Sequence, residues 1–317
     1  MRITVQQTGV KLRYAHRNKL QRLIAMLFCS MLLACNSNTT KPSDHALICT
    51  TTIVADLMEQ IAPPTYAIMG PGTDPHLYKS KSGDHQLMND AITIVYSGLH
   101  LEGKLSDALS HLSKRKNVIC LSDGIAKDQL IQSGDFASVY DPHFWFDVDL
   151  VRIAVINASK KLIQFQPSDS TLIANNLTQY LNQLDSASRS WEILIQGLPL
   201  DKRILVTAHD AFGYFGKKYN FTVKGIQGAS TAAEAGLKDI TELVDFICEK
   251  KIKAIFVESS VSERNVKAIV EGCQKKGHKL LIGGTLYSDA LGSKEGPAGT
   301  YINFMHQNIK TIVNALK

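Results

Sequence analysis

Beyond residue 45 the chain alternates short apolar runs with amphipathic stretches. Runs at 46–50, 67–69, 93–96 and 118–121 read as strands, and stretches at 53–61, 85–89, 103–113 and 148–165 read as helices between or after them. A second series repeats the scheme, with strands at 204–207, 222–226, 254–258 and 279–283 and helices at 210–219, 236–250, 262–276 and 300–316. Strand–helix alternation of this kind predicts an α/β fold with parallel sheets covered on both faces. Between the two series, residues 168 to about 196 hold no Gly or Pro, while Leu172, Leu177, Leu181, Leu184 and Trp191 recur along them. Pro167 with Ser168 supplies a start, and Gly197 with Pro199 a stop. The stretch predicts one helix of roughly 28 residues, about 42 Å long. A helix of that length between two α/β halves is a rigid connector, so the halves face each other across a ligand cleft with restricted hinge motion. A coiled-coil dimer segment is disfavoured, because the apolar pattern lacks sustained heptads.

The amino-terminal 34 residues do not belong to this scheme. Arg2, Lys11, Arg13, Arg17, Lys19 and Arg22 are followed by the apolar run 23–33, with no acidic residue among them. That run is too short to span a bilayer, which needs about 20 residues, and it reads as an export signal. It ends in Leu32-Leu33-Ala34-Cys35, the bacterial lipobox pattern. Cleavage before Cys35 and acylation of that residue would anchor the protein at the cell envelope, on the periplasmic face or the cell surface. The plainer alternative is an ordinary signal peptide with an incidental Cys. The polar, aperiodic residues 36–44 then read as part of a flexible tether reaching residue 45.

Removing the signal changes the charge balance. Lys and Arg number 35 in the full chain and Asp and Glu 29, but six of the basic residues lie in the signal, so the mature chain is balanced. Nucleic acid is therefore set aside as a partner. The mature length favours two domains over one core, here 46–166 and 198–317 joined by 167–197. Of the remaining cysteines, Cys49 and Cys120 fall in apolar runs, and Cys248 and Cys273 fall in successive helices. Buried free thiols are the simpler expectation, and a Cys248–Cys273 bridge in an oxidising compartment is the alternative.

Four short motifs carry the chemistry: Gly72-Thr73-Asp74-Pro75-His76, Asp141-Pro142-His143, Thr207-Ala208-His209-Asp210 and Ser288-Asp289. Each places an imidazole or carboxylate at an expected strand exit, the edge of an α/β sheet where ligands bind. Three neutral imidazoles and one carboxylate complete a shell for a borderline divalent ion with no open position for catalysis. Pro before His76 and before His143 limits the freedom lost on binding, and Phe144-Trp145-Phe146 offers a dry wall. Taken singly, each His is as readily a solvated residue, and Asp74 and Asp141 as readily turn initiators. The recurrence of Asp-Pro-His is what raises them. Among the other histidines, His85, His111 and His306 fall on helix surfaces, and His100 at a strand end is the nearest fifth candidate.

These motifs, together with the stretches 203–215, 225–231, 255–260 and 282–289, resemble the metal-specific solute-binding lipoproteins of bacterial ABC importers, the TroA-like zinc/manganese family. The likeness runs from about residue 46 to the carboxyl end. It implies two lobes joined by a long backbone helix, with the ion between them on His76, His143, His209 and Asp289. It also implies a monomer working with an ABC-type permease and its ATPase, and no enzymatic role. The long His/Asp-rich loop of zinc-dedicated members is absent, so Zn2+ and Mn2+ are both expected cargo, with Fe2+ a further candidate. The competing classes are a lipid-anchored adhesin with a structural metal and a zinc hydrolase. The latter lacks any His-Glu-x-x-His helix here.

Overall fold

The computed structural model of the chain describes residues 47–133 and 139–317. The export signal, Cys35, the tether and His45 lie outside the described residues. Four parallel strands, β1 (Leu47–Cys49), β2 (Thr65–Ala67), β3 (Thr93–Tyr96) and β4 (Asn117–Cys120), form one sheet in the order β2-β1-β3-β4. Ile48 of β1 is opposite Tyr66 on one side and Ile94 on the other, so the buried Leu47-Ile48-Cys49 triplet is central. Helices α1 (Thr52–Glu59), α2 (Ser82–Asp90), α3 (Ser106–Ser113) and α4 (Val148–Phe165) accompany this sheet. Thr51 turns β1 into α1 by accepting the Val54 N–H at 3.2 Å, an N-cap that leaves Ile53, Val54, Leu57 and Met58 buried.

The connector α5 (Ser170–Gln196) has 27 residues, about 40 Å of helix. A 3-10 turn, Pro167–Asp169, precedes it, so the α-helix begins two residues later than the pattern predicts. Its buried stripe is Ile173, Tyr180, Leu184, Trp191 and Ile195, packed against α4 and the carboxyl-terminal helix α9 (Tyr301–Leu316). Leu172, expected in that stripe, is 55% exposed. The remaining elements are β5 (Ile204–His209), α6 (Gly213–Tyr219), β6 (Thr222–Gln227), α7 (Leu237–Lys250), β7 (Ala254–Glu258), α8 (Arg264–Lys275) and β8 (Leu281–Leu286). Here β5 pairs with β6 and β7 with β8, all parallel.

One apolar cluster runs through both halves, from Leu57 and Val151 to Leu205, Phe215 and Phe304. Phe146 sits at the seam, its ring centroid 4.3 Å from that of Phe212 and 5.6 Å from that of Phe304. Truncating such a ring costs about 3–5 kcal/mol, so this contact weighs heavily in holding the halves together. The described residues accordingly pack as one compact unit. No helix among the described residues is long and apolar enough to cross a membrane. The four described cysteines are free, with Cys49, Cys120 and Cys273 buried and Cys248 partly so.

Three strands differ from the sequence expectation by two or more residues at an end. β2 starts at Thr65, because Pro64 O already accepts the Leu47 N–H at 3.0 Å; Ile68 and Met69 still donate to Cys49 and Thr50 beyond it. β5 continues to His209, because its ladder with β6 runs on to the His209–Gln227 pair. The helix expected from residue 210 therefore begins at Gly213. β8 runs through Gly283-Gly284 rather than stopping there. A Cβ on Gly283 would come within 2.7 Å of the Phe256 ring and 2.8 Å of Ala315 Cβ, so α9 can cross this strand only where the side chain is missing.

Candidate metal centre

His76 stands on the loop between β2 and α2. Its backbone N–H donates to Asp74 Oδ1 at 2.9 Å, an Asx turn across Pro75. The same device recurs at His143, whose N–H donates to Asp141 Oδ1 at 2.9 Å. His143 does not leave a sheet strand as expected; it follows the isolated Gln132–Tyr140 bridge and opens the 3-10 turn Phe144–Phe146. His209 is the last residue of β5, and Asp289 lies just past β8.

The fold brings the four side chains together. His143 Nε2 is 3.4 Å from His76 Nε2, 3.4 Å from His209 Nε2 and 3.2 Å from Asp289 Oδ1, and His209 Nε2 is 3.4 Å from Asp289 Oδ1. All four donor atoms lie within 4.8 Å of one another. A tetrahedral ion with bonds of about 2.0–2.1 Å needs donor–donor edges of about 3.3–3.4 Å. Four of the six edges have that size. Asp289 Oδ1 is fully buried and accepts no hydrogen bond among the described residues. Such an orphaned acceptor is costly unless a cation satisfies it. His143, His209 and Asp289 are wholly inaccessible and His76 is 7% exposed, so the site is enclosed and not an open cleft.

Further groups fix these donors. His143 Nδ1–H donates to Asp141 Oδ1 at 2.7 Å, which turns Nε2 toward the centre, where the neutral ring offers its lone pair. Glu258, at the end of β7, accepts the His209 N–H through Oε1 at 2.8 Å. Its Oε2 lies 2.7 Å from His209 Nδ1, an ion-pair distance without hydrogen-bond alignment. Ser260 Oγ donates to Asp289 Oδ2 at 3.1 Å. Trp145 Nε1 donates to Ser288 O at 3.0 Å and sets its ring 5.2 Å from that of His143, closing one side. Asp141 initiates the turn before Pro142, and Glu258 ends β7. Both descriptions hold locally, but the contacts with the rings join residues up to 49 positions apart.

Electrostatics match this arrangement. Burial pulls the His143 imidazole down, but the Asp141 carboxylate and its hydrogen bond, with Asp289, hold it at about 9. His209 is likewise buried, yet Glu258 and Asp289 carry it well above the usual imidazole value. Burial would raise Asp289, but His209 and His143 hold it well below the carboxylate range. His76, where burial dominates, falls to about 3 and is neutral. The centre thus favours positive charge, whether as protons or as a metal ion. The other histidines stay apart: His85, His111, His306 and His100 are exposed, and His278 Nε2–H donates to Ile252 O at 2.7 Å.

The chain matches the family model described as zinc-uptake complex component A, periplasmic (ZnuA), over residues 47–315. It is 42% identical over 302 residues to the manganese-binding lipoprotein MntA of Bacillus subtilis, covering 93% of this chain and 98% of that relative. With the zinc-binding protein TroA of Treponema pallidum it shares 40% identity over 273 residues, covering 85% of this chain and 88% of TroA. The solved structure of that periplasmic protein is similar with a TM-score of 0.83 at 39% identity, covering 86% of this chain and 99% of the other.

Proposed function

The chain belongs to the zinc-uptake complex component A family, and from that premise we propose that it is an extracytoplasmic substrate-binding protein that captures one divalent transition metal and delivers it to an ABC-type importer. His76, His143, His209 and Asp289 are the ligands. The observation that carries this is the set of donor–donor edges of 3.2–3.4 Å around a buried carboxylate oxygen with no other partner among the described residues. Four protein donors fill a tetrahedral shell, whereas metal-assisted hydrolysis needs an open position. Capture therefore fits the site and turnover does not.

Zinc and manganese are both cargo, with iron(II) a further candidate. The edges suit zinc bond lengths, and ligand preference places zinc above manganese at any nitrogen-rich site. Residues 1–34 direct export, Cys35 bears the lipid, and 35–45 tether the folded part to the membrane. The lobes are 46–166 and 198–317 with 167–197 as their connector, and a monomer meets the permease and its ATPase. Protein purified without chelator should carry about one zinc or manganese ion per chain by elemental analysis, and zinc should displace manganese in competition. Metal-free protein that also fails to take up either ion on titration would overturn the assignment.

A further inference from the structure

Of the four proposed ligands, His76 is held differently from the rest. His143 and Asp289 each have a side-chain hydrogen-bond partner, and a carboxylate lies against the His209 ring. The hydrogen bond that fixes His76 runs instead through its backbone N–H to Asp74 Oδ1. Behind it, Gly103 at φ +41° packs so closely that a Cβ there would meet His76 O at 2.9 Å. The position of the imidazole is therefore set by the loop, and the loop is set by Asp74. The second oxygen of that carboxylate, Oδ2, accepts the Thr231 hydroxyl at 2.6 Å. Thr231 lies 157 positions away, in the segment between β6 and α7, and is 6% exposed. One carboxylate thus takes a hydrogen bond from a ligand-bearing loop with one oxygen and from the opposite half of the protein with the other.

We propose that Thr231 is a latch across the halves, a positioning residue that keeps His76 on the ion and sets how fast the cargo leaves. The proposal rests on the reading of His76 as a ligand. When the halves separate, Asp74 loses the Thr231 hydroxyl, and the least buried donor is freed first. Entry of the ion does not require the latch, because the hydroxyl touches no donor atom. Its loss should therefore act on dissociation. A hydrogen bond to a partly buried carboxylate contributes enough that removing the hydroxyl should speed release about tenfold or more.

The test loads wild type, Thr231→Val and Thr231→Ser with zinc and follows release into excess chelator by stopped flow, with association measured separately. Thr231→Val should release zinc at least about tenfold faster with association within about twofold of wild type, and Thr231→Ser, which keeps the hydroxyl, should release it at the wild-type rate. Apo variants compared by circular dichroism and thermal melting show whether the fold is unchanged. Equal release rates for Thr231→Val and wild type, or equally fast release from Thr231→Ser and Thr231→Val, would overturn the latch while leaving the ligand assignment intact. Wild-type protein that takes up no zinc would overturn the ligand assignment, and the latch with it.

Discussion

Metal uptake should expel a proton from His143, and the structure sets the size of the effect. In the metal-free protein this imidazole titrates at about 9, because Asp141 and Asp289 outweigh its burial. At pH 7 only about one molecule in a hundred has a neutral His143, the form that can bind a metal. Raising the pH from 7 to 9 brings that fraction to about one half. Affinity should improve about 50-fold over this interval from His143 alone. Below pH 7 it should fall about tenfold per unit. An ordinary imidazole would place this loss near and below 6.5, so the Asp141 contact moves the window upward. His209 shifts in the same direction and steepens the dependence. Isothermal titration of zinc at pH 7 in buffers of different ionisation enthalpy counts the protons released. At least about one per ion is expected, and Asp141→Asn should release fewer. Zero protons released by the wild-type protein, with affinity flat from pH 7 to 9, would refute the reasoning.

Three further outcomes follow from particular contacts. Glu258→Gln keeps the shape beside His209 but removes the charge, and should weaken zinc binding about 10–100-fold by competitive titration while the protein stays folded. Gly283→Ala forces a Cβ against Phe256 and Ala315, and should lower apo stability by about 1–3 kcal/mol in urea unfolding without changing metal stoichiometry. Apo stability should also depend on pH through His143. Its folded value is raised, so its contribution is fully present below about 6.5 and is lost as pH rises through about 9. Thermal melts of apo protein should therefore fall from pH 6.5 to 9, and Asp141→Asn should flatten that slope.

The four proposed ligands were legible because each stands in a short, rigid motif, and Asp-Pro-His occurs twice. The strand–helix order was legible for the same kind of reason, since buried parallel strands leave continuous apolar runs such as Leu47-Ile48-Cys49. What could not be read depends on contacts that only the folded chain makes. Asp141 initiates a turn, as its position before Pro142 implies, but its hold on the imidazole appears only once the 3-10 turn folds the ring back. Glu258 meets His209 because the ends of β7 and β5 come together, and nothing local to either residue announces it. The apolar run that marks β5 ends at Thr207, but the ladder to Gln227 keeps His209 in the strand. The apolar run that marks β8 ends at Gly283, but the strand continues, and the crossing of α9 requires the glycine there.

The central claim is that His76, His143, His209 and Asp289 together hold a single cation. A crystal structure of protein loaded with zinc, with anomalous scattering recorded at the zinc edge, tests it most directly. One peak per chain is expected, about 2.0–2.2 Å from the three Nε2 atoms and from Asp289 Oδ1. A zinc peak elsewhere on the chain, or one that engages only one or two of these side chains, would contradict it.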